Sequence, residues 1–266
     1  MLHRFDKMHG LGNDFLILDA RAEPVTMTPA LARALADRHR GVGCDQLIVL
    51  GPSGHADLRM DIYNADGGYA EACGNATRCV IALTGAGTIE SDGGLLRGAI
   101  DGGMVEVTLE PPQFEWNRIP LAYAMDSTVL PMAWDELEGP AAINVGNPHL
   151  IFFVEAIDEE RLRELGPRIE HDPAFPERIN VNVAVVRDDC IELRTWERGA
   201  GLTLACGTGA CATAVAAISS KRVSSPVRVV MAGGELTIAW APGEPIVMRG
   251  PATHVFSGEI DLEALA

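Results

Sequence analysis

The chain has 266 residues, 47% hydrophobic and 22% charged, which is typical of an ordinary globular protein with one large domain or two domains of roughly 130 residues. A formal net charge of −16 argues against nucleic acids and anionic membranes as partners, because binding phosphates requires a basic surface. No apolar run approaches the length of a membrane span, and residues 1–10 lack the apolar core of a secretion signal. We therefore expect a cytoplasmic protein.

Most predicted elements are short strands, rich in β-branched residues or in alternation and bounded by Gly, Asp and Asn. In chain order they cover residues 15–20, 46–50, 58–63, 104–109, 149–154, 181–186, 191–196, 227–231 and 236–240. Four helices are predicted, at residues 28–39, 76–87, 158–169 and 209–220. Thr28 with Pro29 is typical of a helix start, and Gly166-Pro167 is expected to end the third helix.

Internal repeats are the most informative feature of this sequence. EACGNATRC (71–79) is echoed by LACGTGACA (204–212), with the first cysteines 133 positions apart. Four further pairs keep the same order at offsets of 131 to 134: GLGNDF with NVGNPH, DQLIVL with INVNVAVV, NADGGYAEAC with ERGAGLTLAC, and LRGAIDGGMVEVTL with VRVVMAGGELTIAW. Five ordered matches indicate two homologous halves, joined by the proline-rich segment 111–131.

The predicted fold class is therefore α+β, with two pseudo-symmetric, β-rich, barrel-like domains from an internal duplication. Each domain is expected to wrap on a central, Ala-rich apolar helix, because such a helix is normally buried. We expect the first domain at residues 1–119 and the second at 120–254, while residues 255–266 are free to return to the first.

The repeated cysteine turns suggest a chemical role. A cysteine just before a buried helix lies beside unpaired N–H groups at the positive end of the helix dipole. This placement is expected to lower the thiol pKa and to create an anion site. Gly74 and Gly207 allow close approach of a ligand, while Asn75 and Thr208 add a donor or a cap.

Two such turns from homologous halves would present two thiols to opposite faces of one bound molecule. That arrangement suits stereochemical inversion, in which a thiolate removes an α-proton and the opposite thiol returns one. Pyridoxal phosphate would need a Schiff-base lysine, and neither Lys7 nor Lys221 suggests one. The cysteine spacings do not match those of zinc sites. We therefore expect neither a cofactor nor a metal.

The motifs KMHGLGNDF, NADGGYAEACGNATRC, VGNPH, PERIN, TWERGAGLTLACGTGACA and RGPATHVFSG closely resemble those of the diaminopimelate epimerase family, from Lys7 to Gly258. The resemblance implies cofactor-independent interconversion of LL- and meso-2,6-diaminopimelate in bacterial lysine and peptidoglycan-precursor synthesis. It implies two pseudo-symmetric β-rich domains with the site between them. Nucleic acids and membranes are not expected partners, and a homodimer is a possible assembly.

The resemblance assigns roles by matching motif. Cys73 and Cys206 correspond to the acid/base pair, and His149 and Glu197 to groups that position the reacting amine or assist the thiols. The residues that bind the substrate carboxylate at the reacting centre correspond to Gly74, Asn75, Gly207 and Thr208. Contacts to the rest of the substrate correspond to Asn13, Gln46, Asn64, Asn147, Asn180 and Arg198, with Glu197 also in the binding set.

The sequence departs from the family pattern at four places. Ala76 replaces a usual Gly, Leu202 replaces the Glu of GAGET, Gly68-Tyr69 replaces a Ser-acidic pair, and Arg249 replaces a Thr. Ala76 is harmless in a helical backbone and strained at positive φ. None of the four replaces an assigned catalytic residue.

Three alternative functions share some of these features. A proline- or hydroxyproline-type racemase would share the duplicated fold and the cysteine pair but lacks the GNxxRC and ERGAG contexts. A hydrolase or transferase using Cys206 with His149 would leave the Cys73 half unexplained. A non-catalytic binding protein on this fold would have no use for both thiols.

Overall fold

The computed structural model describes residues 2–70 and 73–265, so Glu71 and Ala72 of the first cysteine motif lie outside the described residues. It divides into two compact units, Met1–Val107 with Gly250–Ala266, and Thr108–Arg249. The sequence placed these boundaries at 119/120 and 254/255.

The first unit is mainly strands. They are β1 (Leu2–Gly10), β2 (Asn13–Asp19), β3 (Gln46–Gly51), β4 (Leu58–Asn64), β5 (Tyr69–Ala70), β6 (Thr88–Ser91), β7 (Gly94–Asp101) and β8 (Met104–Leu109). Its helices are α1 (Pro29–Ala36) and α2 (Gly74–Thr84).

The second unit has the same character. Its strands are β9 (Ala133–Trp134), β10 (Leu137–Glu138), β11 (Ala141–Asn144), β12 (Pro148–Phe153), β13 (Asn180–Val186), β14 (Cys190–Glu197), β15 (Gly201–Thr203), β16 (Val227–Met231), β17 (Gly234–Ala239) and β18 (Ile246–Gly250). Its helices are α3 (Glu159–Glu170) and α4 (Gly207–Ser219). The final strand β19 (Thr253–Asp261) belongs to the first unit, where it pairs with β1.

Strand pairing shows the duplication directly. In the first unit β1–β2 is antiparallel, β2–β3 parallel, β3–β4 and β4–β5 antiparallel, β4–β6 parallel and β6–β7 antiparallel. The second unit repeats the same six pairings, in the same order and sense, from β11 to β17. The helices also occupy matching positions, since α1 and α3 lie in the parallel crossovers and α2 and α4 follow the cysteines. The predicted two-domain, duplicated α+β class is confirmed.

The central strands are buried because helices cover both of their faces. All but the last residue of β12 and of β13 are buried, as expected of parallel strands in a crossover unit. Leu162, Leu165 and Ile169 of α3 pack with alternate residues of these strands in one apolar cluster. Helix α4, in which residues 209–217 are all buried, packs against β11, β12 and β13.

The helix limits correct two predictions. Helix α1 ends at Ala36, before the predicted 39, because the Asp37 carboxylate accepts the N–H groups of His39 and Arg40 and turns the chain. Helix α3 does not end at Gly166-Pro167 but continues to Glu170, since Pro167 lies in the last turn and its carbonyl accepts from His171 N. Gly166 is needed there because a Cβ would come 2.5 Å from the Trp196 ring.

Strands β1 and β19 were not predicted from the sequence. Every residue of β19 is at least partly exposed, so it lacks the apolar alternation that marks a strand. Among the described residues, no helix is long and apolar enough to cross a membrane.

Candidate functional site

Each repeated cysteine is the residue immediately before a helix, as the sequence predicted. Cys73 and Cys206 have extended backbones (φ −149° and −121°) and are the N-caps of α2 and α4. Their thiols therefore lie at the unpaired N–H groups that begin each helix. In the second unit the Cys206 sulfur accepts the N–H of Gly209 at 3.4 Å.

In the first unit the structure brings Cys73 together with two predicted asparagines. Asn13 Oδ1 accepts from Asn75 Nδ2 at 3.3 Å and lies 3.9 Å from Cys73 Sγ. Asn13 Nδ2 donates to Asp45 Oδ2 at 3.0 Å, which fixes the orientation of the amide. Asn13 is thus held as part of the wall around Cys73.

Gln46 and Asn64 form a second pair in the same unit. They are directly opposed in the β3–β4 register, and Gln46 Nε2 donates to Asn64 Oδ1 at 2.9 Å. The register of β2 with β3 pairs Phe15 with Gln46, so Asn13 begins the neighbouring strand at the same sheet edge. Parallel pairing thus collects these predicted residues at one end of the sheet.

An ion network supports this edge. Lys7, which is 8% exposed, pairs with Asp14, as does Arg38, and Arg38 also reaches Asp45. Burial alone would raise the pKa of Asp14, but hydrogen bonds from Arg38 and Lys7 hold it well below its ordinary value. Asp14 therefore stays ionised and anchors the turn that carries Asn13.

Arg78 is a residue of this site that sequence reasoning missed. Its side chain is fully buried on α2 and donates from Nη2 to Asn75 Oδ1 at 2.7 Å and from Nε to Pro251 O at 3.2 Å. It therefore fixes the amide of Asn75. The available signal is an arginine inside the otherwise apolar run GNATRCVIALT, for which the sequence predicts an apolar central helix.

In the second unit Cys206 is 3% exposed and lies against a carboxylate. Its thiol donates to Glu197 Oε2 at 3.0 Å, and Thr208 Oγ1 lies 3.5 Å from the same sulfur. Burial, reinforced by the negative charge of Glu197, raises the pKa of Cys206 well above its ordinary value. The expectation that the helix end lowers the thiol pKa is therefore wrong for Cys206 in this structure, because burial and the carboxylate outweigh the helix end.

His149 is completely buried on β12, and its ring bonds to Asn147 and Asn182 at 2.9 and 3.1 Å. Burial lowers its pKa to about 3, and the positive charge of Arg198 acts in the same direction. The ring is therefore neutral near pH 7. A neutral imidazole can position its neighbours but carries no charge to stabilise an anion.

Asn180 and Arg198 are joined through the backbone. Asn180 Oδ1 accepts from Arg198 N at 2.9 Å, and its Nδ2 donates to Pro148 O at 2.8 Å. The Arg198 guanidinium donates from Nη1 to Glu177 O at 2.9 Å. Asn180 thus holds in place the turn on which Glu197 and Arg198 lie.

The structure explains three of the four places where the sequence departs from the family pattern. Ala76 lies fully buried in the first turn of α2 and is not among the residues with positive φ, so it causes no strain. Leu202 packs against the core of the second unit, and Tyr69 donates to Asp61 Oδ1 at 2.6 Å. Nothing in the structure explains Arg249.

The diaminopimelate epimerase family model matches residues 5–125 and 141–255 of the chain. A diaminopimelate epimerase of Rhizorhabdus wittichii is 65% identical over 98% of this chain and 96% of its own length. One from Zymomonas mobilis is 52% identical, with 98% of each chain covered. Among solved structures, a hydroxyproline epimerase of Agrobacterium vitis superposes with a TM-score of 0.69 at 14% identity, covering 97% of this chain and 91% of that one. A Bacillus anthracis phenazine biosynthesis protein of the PhzF family gives 0.68 at 15%, covering 98% and 99%.

Proposed function

Because the chain belongs to the diaminopimelate epimerase family, we propose that it interconverts LL- and meso-2,6-diaminopimelate by a two-cysteine, two-base mechanism. The observation that supports this most strongly is the repeated turn: each homologous unit has a cysteine as the N-cap of its buried helix. The chemistry is that of an amino-acid epimerase.

We propose that Cys73 and Cys206 act on opposite faces of one α-carbon. One thiolate takes the α-proton, the C–H electrons pass into the carbanion, and the thiol on the other face then gives its proton to carbon. Each turnover therefore inverts the centre and exchanges the protonation of the two sulfurs. The N–H groups at the starts of α2 and α4, with Gly74, Asn75, Gly207 and Thr208, would bind the α-carboxylate and stabilise the developing charge.

The remaining predicted residues would bind the distal part of the substrate. Diaminopimelate carries a second ammonium and a second carboxylate, which need both acceptors and donors. Within the part of the chain that the structure describes, the Gln46–Asn64 bond uses neither Gln46 Oε1 nor Asn64 Nδ2, so an acceptor and a donor group remain for a ligand. Arg198 offers a guanidinium fork for a carboxylate, with Asn13, Asn147 and Asn180 in support.

Glu197 gives Cys206 a defined starting role in this proposal. As long as the carboxylate accepts the thiol hydrogen, Cys206 retains its proton and is the acid of the pair. Cys73 would then be the base in this protonation state, which suits a D-configured carbon, and the opposite protonation state would act on an L-configured carbon. Because two reduced thiols are required, we place the enzyme in the reducing cytoplasm, where it would serve lysine and peptidoglycan-precursor synthesis.

The direct test is incubation with LL-diaminopimelate in D2O under reducing conditions. We expect deuterium at the inverted α-carbon, measured by mass spectrometry, and formation of the meso isomer, measured by chiral chromatography. L-Proline and trans-4-hydroxy-L-proline serve as controls and should not exchange. Absence of both exchange and meso product would contradict the proposal, and exchange of proline alone would favour a cyclic imino-acid racemase.

A further inference from the structure

A row of polar side chains crosses the apolar interior of the second unit behind the predicted site. It runs from Thr195 on β14 through Asn182 on β13 to His149 on β12 and ends at Asn147. Asn182 and His149 are completely buried and Thr195 is 3% exposed, whereas Asn147 is half-buried at the outer end. Buried polar groups are costly unless they are fully hydrogen-bonded, so the order of donors and acceptors is tightly constrained.

The orientation of the Asn182 amide is set by a backbone carbonyl. Leu150 O can only accept, and the Asn182 atom 3.0 Å from it must therefore be the nitrogen Nδ2. Asn182 Oδ1 then faces Thr195, whose hydroxyl donates to it at 2.9 Å. Asn182 and Thr195 are direct partners in the β13–β14 register, so the sheet itself holds this contact.

The amide in turn sets the tautomer of His149. The second hydrogen of Asn182 Nδ2 points at His149 Nδ1, 3.1 Å away, which must therefore be the unprotonated ring nitrogen. The ring hydrogen is then on Nε2. Nε2 donates to Asn147 at 2.9 Å, so the atom that it meets must be the carbonyl oxygen Oδ1.

We propose that Asn182 is a positioning residue that selects the Nε2–H tautomer of His149 and thereby fixes the Asn147 amide with its NH2 group directed to the substrate. Among the described residues, Asn147 Nδ2 has no hydrogen-bond partner. The relay thus presents a donor at this point, and a donor selects a carboxylate over an ammonium group. This inference rests on the proposed function, because it assigns the ligand group that Asn147 contacts.

The start of α4 packs directly on this relay. A Cβ at Gly209 would lie 2.6 Å from Asn182 Oδ1 and 2.9 Å from Thr195 Oγ1, too close for any side chain. Gly209 N also donates to Cys206 Sγ. The relay and the cysteine turn therefore share one tightly packed junction, which keeps Asn182 from rotating.

The unmodified protein provides the first test. Protein labelled with 15N-histidine contains seven histidines, and the His149 signals are assigned by their loss in His149→Asn. Near pH 7 we expect a protonated Nε2 and an unprotonated Nδ1, with no dependence on substrate. An Nδ1–H ring or an imidazolium in the unmodified protein would overturn the proposal.

Asn182→Asp provides the second test, at about pH 9, because burial at this position raises the carboxyl pKa above its ordinary value of about 4 and the test needs the ionised form. A carboxylate can only accept, so the ring should gain a hydrogen on Nδ1. The KM for LL-diaminopimelate should rise about tenfold, as expected when one hydrogen bond to a charged group is lost, with a smaller change in kcat. Val183→Ala is the matched control, because Val183 is the next buried residue on the same strand and faces the apolar cluster.

The control should lose stability while keeping the His149 signals and KM. If Asn182→Asp keeps both the Nε2–H ring and the original KM, the relay has no positioning role. The ring signals do not depend on activity. Failure of the proposed function would instead appear as no α-deuterium uptake by the unmodified enzyme, whatever the tautomer.

Discussion

Burial and one neighbouring carboxylate together keep the Cys206 thiol protonated. Glu197 Oε2 accepts the thiol hydrogen at 3.0 Å, while its Oε1 accepts from Thr203 Oγ1 at 2.5 Å. The carboxylate is thus held against the sulfur from the adjoining strand β15. Its negative charge makes the thiolate less favourable, and this effect adds to that of burial.

Glu197→Gln should therefore lower the pKa of Cys206, because the neutral amide no longer repels the thiolate. The pH profile for alkylation of Cys206 by iodoacetamide should move to lower pH, measured by mass spectrometry of the Cys206 peptide. Epimerisation should fall about 10²- to 10⁴-fold, the usual contribution of a general acid–base group. Glu192→Gln, on the same strand but paired with Arg187 at the surface, is the control and should leave both unchanged. An unchanged pH profile of alkylation would contradict the prediction that Glu197 raises the pKa of Cys206.

The sequence identified residues that contact the cysteines but not the roles of the residues that support them. The motif positions identified Asn13, Asn75 and Glu197, which the structure places in contact with a cysteine or with one another. The supporting residues Asn182 and Arg78 lie in apolar runs, where a polar residue signals only that a partner exists. Which partner it has depends on the neighbouring strand or loop, and sequence spacing does not give this.

At the scale of elements, the end of α3 holds the turn that carries Glu197 and Arg198. Glu170, whose side chain is 4% exposed, accepts from Gly199 N at 2.9 Å and from Trp196 Nε1 at 2.8 Å. If α3 ended at Pro167, as the sequence predicts, Glu170 would lie outside the helix and would not be held in position to accept these two hydrogen bonds. The extra residues of α3 therefore connect the helix to the site.

Glu170→Gln should disturb this connection, because glutamine has one acceptor where two N–H donors need one each. We expect the free energy of unfolding to fall by about 1–3 kcal/mol, the cost of an unpaired buried donor. Urea denaturation would measure it. The KM for diaminopimelate should also rise as Arg198 shifts. Glu160→Gln, exposed at the other end of α3, should change neither.

At the scale of the whole chain, the duplication was predictable because both halves keep the same motifs in the same order. The six matched strand pairings show that the match extends to topology. The boundaries of the two units were harder to predict from the sequence. Strands β1 and β19 pair across almost the full length of the chain, and an exposed strand pairing at long range leaves no local pattern.

The proposed mechanism predicts a redox response of the whole molecule. If the two thiols act on one carbon, oxidation should be able to join them. We expect activity to be lost without reductant and regained with dithiothreitol, with a Cys73–Cys206 peptide found by mass spectrometry. Detection of Cys73 linked to Cys79 instead would contradict the facing arrangement.

The contributions of the two cysteines, one from each unit, can be tested by replacing each with serine. Both directions of epimerisation pass through the same transition state, so Cys73→Ser and Cys206→Ser should each reduce LL-to-meso and meso-to-LL conversion alike. Serine preserves the shape but is a far weaker base, and the loss should reach about 10²- to 10⁴-fold in either variant. Chiral chromatography of the products measures both directions.

A half-reaction needs only one base and should survive. Elimination of HF from a β-fluoro analogue requires removal of the α-proton and departure of fluoride, and the configuration of the analogue selects the cysteine that acts. We assign Cys73 to the D-configured carbon and Cys206 to the L-configured carbon. Cys206→Ser should then eliminate HF only from the D-configured analogue, and Cys73→Ser only from the L-configured one. The release of fluoride measures both reactions. If both variants process the same diastereomer equally well, the two thiols do not serve two faces. The repeated cysteine turn would then have to be explained by anion binding alone.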